Sequence, residues 1–341
     1  LFVIGFVMQV TILAVVALSP GGDFLEQWAL NVARGKKLLG ALLFFLVLWM
    51  LLRLINLPIG LYSSYILEHR WGFSTQTMAG WWSDYAKGAV LDLVFSAVGA
   101  ALFFWALWRW PLTWWLPAGL FMAAWLIVQT FLWPSLVAPL FNRFEPAQEP
   151  EVVAMVQNLA ERADIPIREV LVMDASTRTS KANAYFAGIG RTKRIVLYDT
   201  LLNNYSLAEV EAVVAHEMAH WKLGHIRTGV FWGIVATFVQ FYLLALVLTS
   251  SFSRWQLGHY QPQAWALALL FVLLTSFVAS PLQNGVSRSM EQAADKESVV
   301  LTGNAVGAVT LQLSLARGNR SDIVPPPFIE WFAYTHPSTL K

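Results

Sequence analysis

Ala215-His216-Glu217-Met218-Ala219-His220-Trp221 is the stretch from which the rest of the chain is read. Its two histidines stand four positions apart. On a helix they lie one above the other on a single face, and both rings can reach one ion at about 2.0–2.1 Å. Glu217, one position after the first histidine, points to a different part of such a site, where it can work on water rather than on the metal. Upstream, Ser206 with Glu209 three residues later has the form of a capping box, and Leu207, Val210, Val213 and Val214 supply an apolar face. The reading is a helix that starts at Ser206 and carries an HExxH motif.

Composition sets the surroundings of that helix. Of 341 residues, 57% are hydrophobic and 13% charged, with 17 Trp and 22 Phe. Soluble globular chains carry about 25% charged residues, so this is a membrane protein with a modest aqueous part. A net charge of +2 makes no case for nucleic-acid binding. Cysteine is absent, which removes disulfides, thiolate metal sites and cysteine nucleophiles together. A metal must then be held by His and carboxylate, and no organic cofactor is expected.

Six apolar stretches, near 1–19, 38–62, 89–109, 113–140, 228–250 and 264–282, are long enough to cross a hydrocarbon core, which takes about 20 helical residues. The first has no basic stretch before it and reads as a span with upstream sequence missing rather than as a signal peptide. Trp108, Trp110, Trp114, Trp115 and Trp133 crowd the span ends, as in an interfacial belt. Arg53 and Asp92 fall inside spans. Either they face a polar interior cavity, or Arg53 snorkels and Asp92 sits near the headgroups. The third and fourth spans form a tight hairpin, and Tyr62 to Lys87 reads as a helix leaving the membrane followed by a structured loop, with His69 at the surface.

The chain therefore divides into membrane helices (1–141), an aqueous α+β segment ending in the HExxH helix (142–225), two further spans (226–282) and C-terminal helices (283–341). The aqueous segment reads as a helix (about 147–163), strands at 169–173, 182–187 and 194–198, and a turn at Gly188 and Gly190. A free strand edge beside a metal-binding helix can hold an extended peptide by ladder hydrogen bonds. After the last span, Glu291 and Asp295 lie on one face of a polar helix. The two spans between His220 and Glu291 run out and back, so topology allows Glu291 to complete a His2Glu zinc site with an open position. Asp295 is either an acceptor for a ligand imidazole or a surface charge. His225 is expected about 140° round the helix from His220 and not to be a ligand. His259 is excluded by its far-side loop. A second amphipathic helix follows from Ala305 to Arg317, stopped by Gly318, and then Pro325-Pro326-Pro327 leads to Thr335-His336-Pro337. Lys and Arg cluster in 142–225 and after 283, which puts the catalytic side in the cytoplasm, although Arg34, Lys36 and Lys37 oppose this.

Several of these motifs occur together in a known family. His216-Glu217-Met218-Ala219-His220 with Trp221-Lys222-Leu223-Gly224-His225, the Glu291 helix with Ala294-Asp295, Leu140-Phe141-Asn142-Arg143-Phe144, Asn183-Ala184-Tyr185-Phe186 and His336-Pro337 resemble the type I CAAX prenyl proteases. The resemblance runs from about Leu61 to the end. It implies a mainly α fold, a multi-span transmembrane helical bundle with a small α+β zinc protease domain of the gluzincin type. It implies one Zn2+ held by His216, His220 and Glu291, with Glu217 as general base. It further implies that Asn183 and His336 flank the scissile carbonyl, one holding substrate backbone and one stabilising the oxyanion. The helices of that family enclose a water-filled chamber in the membrane. The family has seven spans against six here, which points to a helix missing upstream of Leu1.

The leading expectation is an integral-membrane zinc metalloendopeptidase, monomeric, cutting near the C-terminus of a prenylated or otherwise membrane-associated substrate. A quality-control protease without a prenyl requirement is the alternative. A transporter with a structural His pair is a third reading, and the spans show no internal repeat to support it.

Overall fold

The computed structural model describes residues 1–188, 193–254 and 262–339. In chain order the helices are α1 (Phe2–Leu18), α2 (Pro20–Val32), α3 (Lys37–Leu61), α4 (Glu68–Arg70), α5 (Met78–Arg109), α6 (Trp115–Phe131) and α7 (Trp133–Leu136). After strand β1 (Phe144–Pro146) come α8 (Pro150–Ala163), β2 (Glu169–Met173), β3 (Ala184–Ala187) and β4 (Arg194–Tyr198). Then α9 (Asp199–Asn204), α10 (Leu207–Lys222), α11 (His225–Arg254), α12 (Gln263–Thr302), α13 (Ala305–Gly318) and α14 (Pro327–Ala333) complete the chain. The expectations for Gly190 and His259 lie outside the described residues.

Among the described residues, four helices are long and apolar enough to cross a membrane: 37–70, α5, 225–250 and α12. Two bent pairs raise the number to six if each is one span. The fourth expected span is thus not straight, and the first, 1–19, is the single helix α1 followed by a bend into α2. The α1–α2 pair bends by 67° and the α6–α7 pair by 53°. In both, a proline opens the second helix: it has no N–H to continue the first ladder and is tolerated in a first turn. Gly22 makes the tighter bend possible, because a Cβ there would lie 1.9 Å from the carbonyl oxygen of Val16. Two other expectations change in extent. The third span begins about three turns earlier, at Met78, which shrinks the loop after α4 to residues 71–77. The sixth span and the polar Glu291 helix are one continuous helix of 40 residues, about 60 Å long at 1.5 Å per residue.

By packing, the chain forms two compact units. The first comprises 1–68, 78–125 and 233–278. Its core is built from Phe44, Phe45, Leu48, Phe103, Phe104, Leu107, Leu244 and Leu248. Small residues such as Ala17, Ala29, Ala41 and Ala100 complete it and let the helix backbones approach. Trp114 is fully buried there against Phe103, so it belongs to this core and not to an interfacial belt. Arg53 and Asp92 face each other at 3.4 Å. Trp49 Nε1 and Ser96 Oγ donate to the Asp92 carboxylate, and the guanidinium lies over the Trp49 and Tyr85 rings. Mutual pairing, rather than snorkelling, is what meets the cost of charge in an apolar helix pair.

The second unit comprises 69–77, 126–232 and 279–341. Its four-stranded sheet has the order β1-β2-β4-β3, with β2 and β4 parallel and the outer pairings antiparallel. β1 was not expected: Phe144-Glu145-Pro146 is short and contains a proline, which an edge strand tolerates. One sheet face packs on α8 and α10 through Val156, Leu159, Ile195, Leu197, Val214 and Met218. Leu171, Met173 and Val196 are buried on the other. The 71–77 loop is stitched to residues 176–180 by a Ser74–Thr179 bridge and by Ser180 N–H donating to the Phe73 carbonyl. His69, expected at the surface, is half-buried.

Candidate metal centre

α10 starts where its sequence says it should. Ser206 Oγ accepts from the Glu209 N–H, and the Glu209 carboxylate accepts the Ser206 N–H at 2.9 Å, a complete capping box. Glu209 is also gripped by Ser314 Oγ of α13 at 2.6 Å. The hydroxyl of Ser314, with the groups of Ser206, holds its carboxyl below the usual carboxylate range. At the other end of α10, Lys222 pairs with Glu297 of α12 at 2.7 Å, and Arg162 of α8 donates to the Leu301 carbonyl. These ties lay the end of α12 along α10.

The result is a convergence of three donors. His216 Nε2 lies 3.1 Å from His220 Nε2 and 3.1 Å from Glu291 Oε2, and His220 Nε2 lies 3.6 Å from the same oxygen. A tetrahedral ion with bonds of about 2.0–2.1 Å has its ligands about 3.3 Å apart, so the spacing suits a first-row dication. Among the described residues, this is the group of His and carboxylate side chains that could hold a metal ion. Two imidazoles and one carboxylate, with no thiolate in the chain, are the donor set of a catalytic rather than a structural zinc site.

Behind the donors stands another layer. Asp295 Oδ1 lies 2.8 Å from His216 Nδ1. His336 Nε2 lies 3.2 Å from Glu291 Oε2. Glu217 and Asn183 line the same cavity of about 550 Å3, whose wall continues through Val213, Ala308 and Gln312. Asn183 directly precedes β3, an outer strand of the sheet, and its Oδ1 accepts from the Ala184 N–H.

Comparison with known proteins follows the same lines. The family model for peptidase family M48 matches residues 146–341, and that for the CAAX prenyl protease N-terminal region, five membrane helices, matches 2–143. The chain belongs to peptidase family M48. Uncharacterized metalloprotease YhfN of Bacillus subtilis is 30% identical over all of this chain and 81% of its own length. CAAX prenyl protease 1 homolog of Arabidopsis thaliana is 32% identical, over 84% of this chain and 68% of its own. The crystal structure of S. mikatae Ste24p superposes with a TM-score of 0.81 at 28% identity, covering 88% of this chain and 74% of that one. This M48 chain is an integral-membrane metalloprotease of the CAAX prenyl protease family, and it acts on peptide or protein substrates. The transporter reading falls with that assignment.

Two features of this M48 site were not legible in the sequence. The first is His225. α10 ends at Lys222, and Gly224 adopts a left-handed φ of 71° before α11 begins. The helix therefore does not carry His225 round to the far side. The turn brings its Nδ1 to 3.0 Å from His220 Nδ1 instead. The second is how His336 is delivered. Arg288 of α12 donates to the carbonyls of Glu330 and Tyr334 at 3.0 and 2.6 Å, and Asn284 donates to that of Phe332. Together they clamp the C-terminal end of α14, where carbonyls have no helical partner. A glycine after a histidine-rich helix end was the signal for the first; nothing local signals the second.

The electrostatics suit cation binding. Burial lowers the affinity of His216 for a proton, but its hydrogen bonds to Asp295 and Glu291 prevail and push its pKa up to about 10. A proton and a metal ion compete for that nitrogen, and both are favoured by the same carboxylates. Burial pushes the Glu217 carboxyl above the ordinary range, partly offset by His216 and His220. The hydrogen bond to Glu291 raises His336, against its burial.

Proposed function

We propose that this chain is a zinc metalloendopeptidase that cuts near the C-terminus of prenylated, CAAX-type or otherwise membrane-associated substrates, with His216, His220 and Glu291 as the zinc ligands. The observation that carries the reading is the meeting of the three donors, of which His216 and Glu291 line a cavity also lined by Glu217, His336 and Asn183. A bound zinc ion supplies Lewis acidity toward the scissile carbonyl and the attacking water. Glu217 takes the proton of that water on its carboxylate and hands it to the leaving amine; the burial that raises its basicity fits it for the first step. Substrate backbone pairs in extended form along the outer edge of β3. Asn183 holds that backbone through its carboxamide, and His336 donates from its imidazole to the oxygen that gains charge. Asp295 keeps the His216 proton on Nδ1 and its lone pair on Nε2.

The division into membrane helices (1–141), aqueous segment (142–225), two spans (226–282) and C-terminal helices (283–341) serves this chemistry, in a chain that works as a monomer. The Lys and Arg of 142–225 and 283–341 favour a catalytic side in the cytoplasm. The relatives named as CAAX prenyl proteases support a prenylated substrate.

The test is cleavage of one C-terminal peptide, farnesylated and unmodified, by the detergent-purified protein and its Glu217→Ala variant, with zinc content measured alongside. Preferential cleavage of the lipidated peptide, lost in the variant, is expected. Equal cleavage of both peptides would overturn the prenyl specificity and favour a quality-control role with the same metal chemistry.

A further inference from the structure

We infer that His225 is a positioning residue for the metal centre: it accepts the Nδ1 proton of His220 and thereby fixes the tautomer and ring plane of that ligand. The inference rests on the zinc reading above and deepens it. His220 turns Nε2 toward the other donors, 3.1 Å from His216 Nε2 and 3.6 Å from Glu291 Oε2. A neutral imidazole has one donor and one acceptor nitrogen. With the Nε2 lone pair committed to an ion, the proton of His220 must sit on Nδ1, and there His225 Nδ1 lies 3.0 Å away. His225 Nδ1 is then an acceptor, and its own proton sits on Nε2. The rings meet at an interplanar angle of 73° with centroids 5.0 Å apart, an edge-on approach rather than a stack.

Both ligand imidazoles thus have an acceptor behind them, and the two acceptors differ in charge. His216 is backed by the carboxylate of Asp295 at 2.8 Å and His220 by a neutral ring. Glu217, Glu291 and Asp295 already bring carboxylates to the site, and an imidazole behind His220 orients the ligand without adding another negative charge. The turn at Gly224 exists in a form that serves this contact. A Cβ on Gly224 would meet nothing within 4 Å, so the demand for glycine is conformational, set by its φ of 71°. Leu223 and Gly224 N–H close the end of α10 on the Ala219 and Trp221 carbonyls, and α11 starts at once with His225.

The experiment compares wild-type protein with His225→Ala and His225→Asn, the latter because its Oδ1 can accept where Nδ1 does. Zinc affinity is read by chelator competition, and the ligand field by the visible absorption of the Co2+-substituted proteins. His225→Ala should weaken zinc binding by about 10-fold or more, the usual effect of losing an outer partner of a ligand histidine. It should also shift the Co2+ bands, and His225→Asn should recover most of both. Unchanged affinity and bands in His225→Ala would overturn the inference. So would His225→Asn behaving like His225→Ala, since the side chain would then matter only for packing. Should His225→Ala fail to fold, His225→Asn alone decides: near-wild-type affinity supports the role, and a loss of 10-fold or more contradicts it. If wild-type protein itself takes up no zinc, the zinc reading of the site fails, an outcome distinct from these.

Discussion

α10 and the C-terminal segment both deliver groups to one cavity, and they do so by opposite means. α10 brings His216, Glu217 and His220 by helical spacing alone and caps itself with Ser206 and Glu209. The C-terminal segment brings His336 on irregular chain, held in place by Arg288 and Asn284 reaching from α12 to four backbone carbonyls. Regular structure fixes geometry locally and cheaply. Irregular chain fixes it only through distant partners, so the two ends of the site should fail differently when disturbed.

The sharpest break should come on the α10 side. Glu217→Gln is expected to lower kcat at least 100-fold, the span of general-base catalysis, while zinc content by atomic absorption stays at the wild-type level. A variant that keeps its activity would remove Glu217 from the reaction. On the C-terminal side, His336→Ala should cost about 100-fold in kcat, as losing one oxyanion donor does. Arg288→Ala should follow it at about 10-fold, through misplacement rather than loss of the ring. Full activity in Arg288→Ala would show that the segment holds itself and would erase the contrast.

Smaller effects concern stability. Glu209→Gln should destabilise the protein by about 1 kcal/mol at pH 7, seen as a lower thermal midpoint in detergent. The carboxyl is held low in the folded state, so its contribution is present above the unfolded value of about 4.3 and lost as pH falls through the lowered folded one. The gap between variant and wild type should therefore close at acid pH; a gap independent of pH would point to packing instead. Gly224→Ala, strained by its left-handed φ, should cost about 1–2 kcal/mol.

The same contrast explains what the sequence could and could not disclose. The capping box, β2 and β4, and the helical spacing on α10 are local, and each was legible to within a residue or two. β1 was not, because three residues including Pro146 carry no strand signal until β2 lies beside them. The bends after Leu18 and Phe131 were missed because hydropathy counts apolar residues and is blind to direction, although Pro20 and Pro134 were there to mark them. His225 was misplaced by extending a helical period through a glycine that ends it. Arg288 could not have been found, since its partners are carbonyls more than 40 residues away and carbonyls have no sequence signature. Asn183 and His336 came from family resemblance, for the same reason.

One measurement bears most directly on the centre of this account. X-ray diffraction recorded at the zinc absorption edge, on crystals of the Glu217→Ala variant grown with zinc, locates the metal without relying on activity. The account predicts a single anomalous peak per chain within about 2.0–2.1 Å of His216 Nε2 and His220 Nε2 and in contact with Glu291. No peak among these three side chains, or a peak elsewhere with these side chains unengaged, would contradict it.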